Sequence, residues 1–283
     1  MNPDKKILCI PFASTLGNAR KNAERVRSLG HAVAESGVNP DVIVLPELAL
    51  SGYLIESLVA ESATDEAAIL SLAKDLTQAG LNAKTEWVIG VPLREGNEIY
   101  NAAVVLSGGE IRHIHRKLFL PTYGMFDEAR YFTRGISFTT YYGVLGKTAI
   151  LICEDAWHLE MLYAASVARA DAVIVISSSP ARGYARGGDI FDSTQTWRDR
   201  LRVAVESYGQ TYIYCNRSGV EDGILYDGSN FVIGDGGFRD AAPVAVHDKA
   251  NLFRVPATLL RHTGLKGDSS RQNDLALMRE ILR

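Results

Sequence analysis

Apolar and polar positions along this chain follow two rhythms. Short runs rich in Val, Ile, Leu and Tyr read as strands: KILCIPF (6–12), DVIVLPE (41–47), EWVIGVP (86–92), YNAAVVL (100–106) and EIRHIHRK (110–117). TAILIC (148–153), DAVIVISSS (171–179), TYIYCN (211–216) and SNFVIGD (229–235) continue the series. Between them, segments with a helical period near 17–36, 64–80, 158–169 and 191–209 read as amphipathic helices, and SSRQNDLALMREILR adds one at the C-terminus. The turn at Ser107-Gly108-Gly109 closes a hairpin, whereas helical crossovers elsewhere join parallel strands. An α/β fold with one mixed sheet or two is expected. DAVIVIS is apolar on both faces, as befits a strand between a helix layer and a second sheet.

Composition narrows the partners. With 283 residues and 47% apolar composition the chain can bury a large core. No linker, low-complexity run or internal repeat divides it, so a single domain over 1–283 is expected. Lys+Arg 30 against Asp+Glu 33 gives a net charge of -3, which offers no electrostatic footprint for nucleic acid or an anionic membrane. A small molecule or a protein is the expected partner. MNPDKKILCIPFAS lacks a signal peptide's long apolar region, and no stretch reaches the roughly 18 apolar residues of a spanning helix. Cys9, Cys153 and Cys215 are odd in number and far apart, which argues against a disulfide framework and CxxC-type zinc binding. A reduced, cytoplasmic setting is expected.

Three strand ends carry the candidate chemistry. Glu47 follows one apolar run, Lys117 closes another, and Cys153 closes a third. Strand ends in α/β proteins converge on one mouth of the sheet, where ligands bind. Singly, each has an ordinary role: a core thiol, which is the reading for Cys9 and Cys215, a solvated lysine, and a turn glutamate. Together they suffice for acyl transfer. A lysine charge and a helix N-terminus would favour the thiolate, and a carboxylate can take its proton and return one to a leaving nitrogen. The ammonium can hold the oxyanion, a contribution of roughly 3 to 4 kcal/mol in typical hydrolases.

LPELALSGY, RKLFLPTYGMFDEARYFTRG, ILICEDAWH and CNRSGVEDGILYDGSNFVI occur in the order and with the spacing of the signature segments of the carbon-nitrogen hydrolase (nitrilase) superfamily, which this chain resembles to about residue 240. The resemblance implies that Glu47 is general base and acid, Lys117 the oxyanion-stabilising lysine and Cys153 the nucleophile. It adds Glu128, in FDEARYF, as a second glutamate that orients the lysine or substrate. It also implies a four-layer αββα sandwich of two mixed sheets with helices outside, and a homodimer or higher homo-oligomer. The segment from about 258 to 283 would be a helical tail, a candidate for that interface. No metal or organic cofactor is implied.

Within the superfamily, LPTYGMFDEARYF and CEDAW most resemble the glutaminase domain of glutamine-dependent NAD synthetases. The matching positions there line a glutamine pocket, which implies that Tyr53, Tyr123, Glu154 and Ser179 bind substrate here. Glu154 would meet an α-ammonium group, and Arg182 or Arg186 an α-carboxylate. Two carboxylates after a thiol oppose its ionisation, so Glu154 should be paired, turned away or engaged with substrate. No SGGxDS-type ATP-binding motif is present, so the chain would cleave an amide on its own account or pass ammonia to a separate synthetase. NRSGVEDGILYDGS also resembles stand-alone amidases and N-carbamoyl amidohydrolases, and a non-catalytic interaction module is the reading from another class. CED in place of the CWE of nitrilases argues against nitrile hydrolysis.

The remaining signals read as structural. His113 and His115 share one strand face at metal-ligand spacing but lack a third ligand nearby, so a surface pair is expected. GDGG (234–237) reads as a turn between strands, and Arg198, Arg200 and Arg202 as a solvated helix face in which one arginine pairs with a buried acid.

Overall fold

The computed structural model describes residues 4–184 and 187–260. Its first sheet begins with β1 (Lys5–Cys9), β2 (Val42–Val44), β3 (Thr64–Asp65), β4 (Glu86–Glu95), β5 (Glu98–Ser107) and β6 (Glu110–Arg116). The second holds β7 (Thr140–Gly143), β8 (Gly146–Ile152), β9 (Ala172–Ser177) and β10 (Thr211–Asn216). Strands β11 (Ser218–Glu221) and β12 (Ile224–Asp227) form a separate hairpin; β13 (Asn230–Gly234) and β14 (Gly237–Phe238) rejoin the second sheet. Finally β15 (Ala241–Pro243) and β16 (Asn251–Val255) return to the first, which is eight-stranded in the order β15-β16-β1-β2-β4-β5-β6 with β3 beside β4. The second is six-stranded, β14-β13-β10-β9-β8-β7. Both are mixed: β1, β2 and β4 run parallel, as do β8, β9 and β10, while the hairpins are antiparallel.

Side-chain alternation along the strands builds the layers. On β1, Ile7 and Cys9 face the second sheet, where Ile150, Ile152, Ile174, Ile176, Ile213 and Cys215 meet them. Leu8 and Ile10 face the other way, onto Val26 and Val33 of α1 (Ala19–Glu35) and, through neighbouring strands, Ile69 and Leu72 of α3 (Glu66–Thr77), which follows the short α2 (Val59–Ser62). Beyond α4 (Glu128–Tyr131), the outer face of the second sheet packs Val173, Val175 and Tyr214 against α5 (Leu159–Val167) and α6 (Asp192–Tyr208) through Leu162, Trp197 and Leu201. The order is therefore helix, sheet, sheet, helix, the αββα sandwich expected. Every residue of β9 is buried because both its faces are covered.

Caps set the helix ends. Asn18 accepts the N–H of Lys21 to start α1, Asp65 accepts that of Ala68 to start α3, and Gly209, at φ +72°, ends α6 in the left-handed region. Several strands lie outside the sequence reading, among them β3, β7, β11, β12, β15 and β16, all short and lacking a long apolar run. The run read as 41–47 is a strand only over Val42–Val44, since Pro46 cannot donate to a ladder. GDGG is the turn joining β13 to β14. For the expected C-terminal helical tail, a 3-10 turn at Ala257–Leu260 is seen, and 261–283 lies outside the described residues.

Candidate active site

The first sheet delivers Glu47 by breaking a strand. Leu45 N still donates to Val88 O at 2.8 Å, but Leu48 then adopts φ +48° and the chain leaves the sheet. This turn presses on β4, where Gly90 N donates to Pro46 O at 3.2 Å. A Cβ at position 90 would run into the backbone of Pro46, Glu47 and Leu48, so glycine is required there. Lys117 follows β6, its N–H bonded to Asn101 O and its carbonyl to Gly135 N, both at 2.8 Å. Cys153 comes from the second sheet. It ends β8 with φ +43°, a strained conformation for a non-glycine residue, and begins a single 3-10 turn, Cys153–Trp157.

These ends meet in one buried network. Lys117 Nζ lies 2.7 Å from Glu47 Oε1 and 2.6 Å from Glu128 Oε1, with the lysine and Glu47 side chains fully buried. Asn101 Nδ2 donates to both glutamates, at 2.8 and 3.2 Å, and Tyr53 OH donates to Glu128 at 2.5 Å. The second sheet closes the set: Ser178 N donates to Glu47 Oε2 at 2.8 Å, and Ser177 Oγ lies 3.3 Å from Cys153 Sγ. Below it, the buried Arg217 donates to Glu47 O at 2.7 Å, Leu48 O at 2.9 Å and Glu221 Oε1 at 2.5 Å, and Glu221 Oε2 accepts the N–H of Tyr53 at 2.9 Å. Sequence reasoning missed Asn101, Ser177, Ser178, Arg217 and Glu221. A polar residue inside an otherwise apolar strand was the available signal for Asn101.

Burial and charge compete at each group. Burial alone would lower the Lys117 ammonium, but Glu128 and Glu47 outweigh it and hold it well above the usual lysine range. Burial raises the Glu128 carboxyl, and Lys117 offsets that only in part. The Cys153 thiol is raised by burial first and by Glu47 second, with Lys117 pulling it down. The expectation of a lysine- and helix-stabilised thiolate is therefore corrected. Two carboxylates share the lysine's charge, one 3-10 turn supplies little dipole, and burial with Glu47 pushes the thiol up rather than down.

A cavity of about 470 Å³ opens above Cys153, lined among others by Tyr53, Tyr123, Glu154, Ser179, Arg182 and Asp192. Glu154 is paired, as expected: its Oε2 accepts Tyr123 OH at 2.8 Å, which with burial pushes the phenol up to about 12. Ser179 is held through its backbone, its N–H bonded to Asn216 Oδ1 at 2.8 Å and its carbonyl to Asn216 Nδ2 at 2.9 Å. Arg182 lines the cavity from an exposed loop, and Arg186 lies outside the described residues.

His113 and His115 are not a surface pair. Their strand face is turned toward the second sheet, so His115 is 2% exposed and bonds Asp155 at 2.9 Å, while His113 stacks on Tyr141 and burial lowers it to about 4. Of the three helix arginines, Arg198 lies over Phe238, Arg200 over Trp157, and Arg202 pairs with Asp199, which is half exposed. Among the described residues no group of three His, Cys, Asp or Glu is placed to hold a metal ion, and no helix is long and apolar enough to cross a membrane.

Comparison with known proteins bears on the fold and the family. The glutamine-dependent NAD(+) synthetase of Xylella fastidiosa (strain Temecula1 / ATCC 700964) is 33% identical over 251 residues, covering 86% of this chain and 43% of that protein. The chain thus spans less than half the length of that curated relative. The structure of glutamine-dependent NAD+ synthetase from Acinetobacter baumannii in complex with adenosine diphosphate has a TM-score of 0.77 at 24% identity, over 91% of this chain and 47% of the other. The NitN amidase from Nesterenkonia sp. AN1 has a TM-score of 0.76 at 21% identity, over 98% of this chain and 99% of the other. These two likenesses show the fold. The carbon-nitrogen hydrolase family model matches residues 10–238, and the chain belongs to that family of enzymes acting on carbon-nitrogen bonds.

Proposed function

We propose that this chain is a cysteine-dependent amidohydrolase that cleaves a small linear carboxamide, glutamine or a close analogue, and releases ammonia. The observation that carries the reading is Lys117, held dry between Glu47 and Glu128 at 2.7 and 2.6 Å beside the Cys153 turn. Glu47 accepts the thiol proton as the sulfur of Cys153 bonds to the amide carbon. The carbonyl electron pair moves onto oxygen, where the Lys117 ammonium and the N–H of Glu154 meet it. Collapse breaks the carbon-nitrogen bond, and Glu47 returns its proton to the leaving nitrogen. Water then gives a proton to Glu47 while its oxygen attacks the thioester. The carbon-sulfur bond breaks, the sulfur recovers the proton and the acid departs. Glu128, fixed by Tyr53 and Asn101, keeps Lys117 in place.

Two features favour a glutamine-like substrate. Glu154 and Asp192 line the cavity as partners for an α-ammonium, with Arg182 as a partner for an α-carboxylate, and the matched relatives are named glutamine-dependent. Because this chain matches only about half of those relatives' length, a second reading is a glutaminase subunit that supplies ammonia to a separate synthetase. It differs from the first by low basal activity and stimulation on adding the partner. Cys153→Ala tests both. Loss of ammonia release from glutamine with an unchanged circular dichroism spectrum is expected, and a Cys153→Ala enzyme that still releases ammonia would overturn the mechanism.

A further inference from the structure

Lys117 and Cys153 come from different sheets, so no strand ladder fixes their separation. Between their two strand ends stands Asp155, fully buried and lining no part of the cavity. Its Oδ1 accepts the N–H of Leu118 at 2.9 Å and of Phe119 at 3.0 Å, the residues directly after Lys117. Its Oδ2 accepts the N–H of Ile152, directly before Cys153, at 3.1 Å, and lies 2.9 Å from Nε2 of His115. A carboxylate offers about four lone-pair directions, and each has a donor here. The structure puts Asp155 inside the protein as a tie between sheets.

We infer that Asp155, with His115 as its buried partner, is a positioning residue that sets Lys117 against the sulfur of Cys153. The left-handed backbone at Cys153 persists only where its surroundings over-determine it, and Asp155 supplies that constraint from two residues away. An apolar residue at 155 would orphan three buried backbone donors. An asparagine would keep one acceptor oxygen and turn its amide protons toward donors. His115 completes the carboxylate's bonding and fixes its plane. Neither residue touches substrate, so their loss should misplace the oxyanion donor rather than weaken binding.

The inference rests on Cys153 and Lys117 acting as proposed above, and the test separates the two. Alkylation of Cys153 by iodoacetamide is followed by intact mass, beside kcat and KM for ammonia release from glutamine and thermal melting, in Asp155→Asn, His115→Gln and His115→Leu. Since a misplacement of about 1 Å costs on the order of 100-fold, Asp155→Asn should lose about 100-fold in kcat with little change in KM. His115→Leu should lose about 10-fold in both kcat and alkylation rate, and His115→Gln, which keeps a donor, should recover most of it. If Asp155→Asn does not fold, the two His115 variants decide. A His115→Leu enzyme that melts lower yet keeps the wild-type kcat and alkylation rate would show a purely structural role and overturn the inference. Wild-type protein whose Cys153 resists iodoacetamide and which releases no ammonia would overturn the proposed function itself, and the inference with it.

Discussion

Replacing Lys117 with Met keeps most of its bulk and leaves Glu47 and Glu128 sharing Asn101 with no counter-charge. Each ion pair, at 2.7 and 2.6 Å, corresponds to an attraction of about 6 kcal/mol at an effective dielectric near 20, against a burial penalty of several kcal/mol for the ammonium. Removing one partner of such a set costs about 3 to 5 kcal/mol, because buried charge is left uncompensated. The protein can escape part of this by protonating a carboxyl, whose folded pKa then rises above the unfolded value of about 4.3. Stability gained from that protonated form is fully present below the unfolded pKa and is lost as pH rises through the folded one. Urea unfolding of Lys117→Met should therefore show a deficit of about 3 to 5 kcal/mol near pH 7.5 that narrows toward pH 5. Turnover should fall by at least about 100-fold to 1000-fold from loss of the oxyanion donor. Adding Glu128→Gln should restore stability near pH 7.5 but not turnover. A Lys117→Met protein as stable as wild type near pH 7.5, with no new pH dependence, would refute the ionised network described above.

Two further substitutions probe separate parts of the site. Asn101→Leu removes the amide that donates to both glutamates; with about 1.5 to 3 kcal/mol for each hydrogen bond to a charged group, a stability loss of about 3 kcal/mol or more and a lower kcat at similar KM are expected, read by urea unfolding and steady-state kinetics. Glu154→Gln should raise KM for glutamine by about 10-fold to 100-fold while leaving KM for simple aliphatic amides within about 3-fold; equal effects on both would remove Glu154 from ammonium recognition.

Legibility in the sequence followed the range of the interactions. Glu47, Lys117 and Cys153 each follow or close a run read as a strand, so their placement at one mouth could be read locally, and Glu128 came from the resemblance of FDEARYF. The second tier could not be read that way. Arg217 reaches the carbonyl of Glu47 across 170 positions, and nothing in CNRSG says where its guanidinium goes. Period-two spacing put His113 and His115 on one face but could not say which way it points; a second sheet covers it and buries His115 against Asp155. The thiolate expectation failed for a similar reason. The lysine is present, but its charge is shared by two carboxylates, and burial dominates at the sulfur.

Intact-protein mass spectrometry of rapidly quenched mixtures with glutamine, with ammonia measured in parallel, tests the covalent route most directly. A transient γ-glutamyl adduct that maps to Cys153 and decays as ammonia accumulates is the expected result. An adduct on another residue, or ammonia release by protein whose Cys153 is fully alkylated, would contradict it.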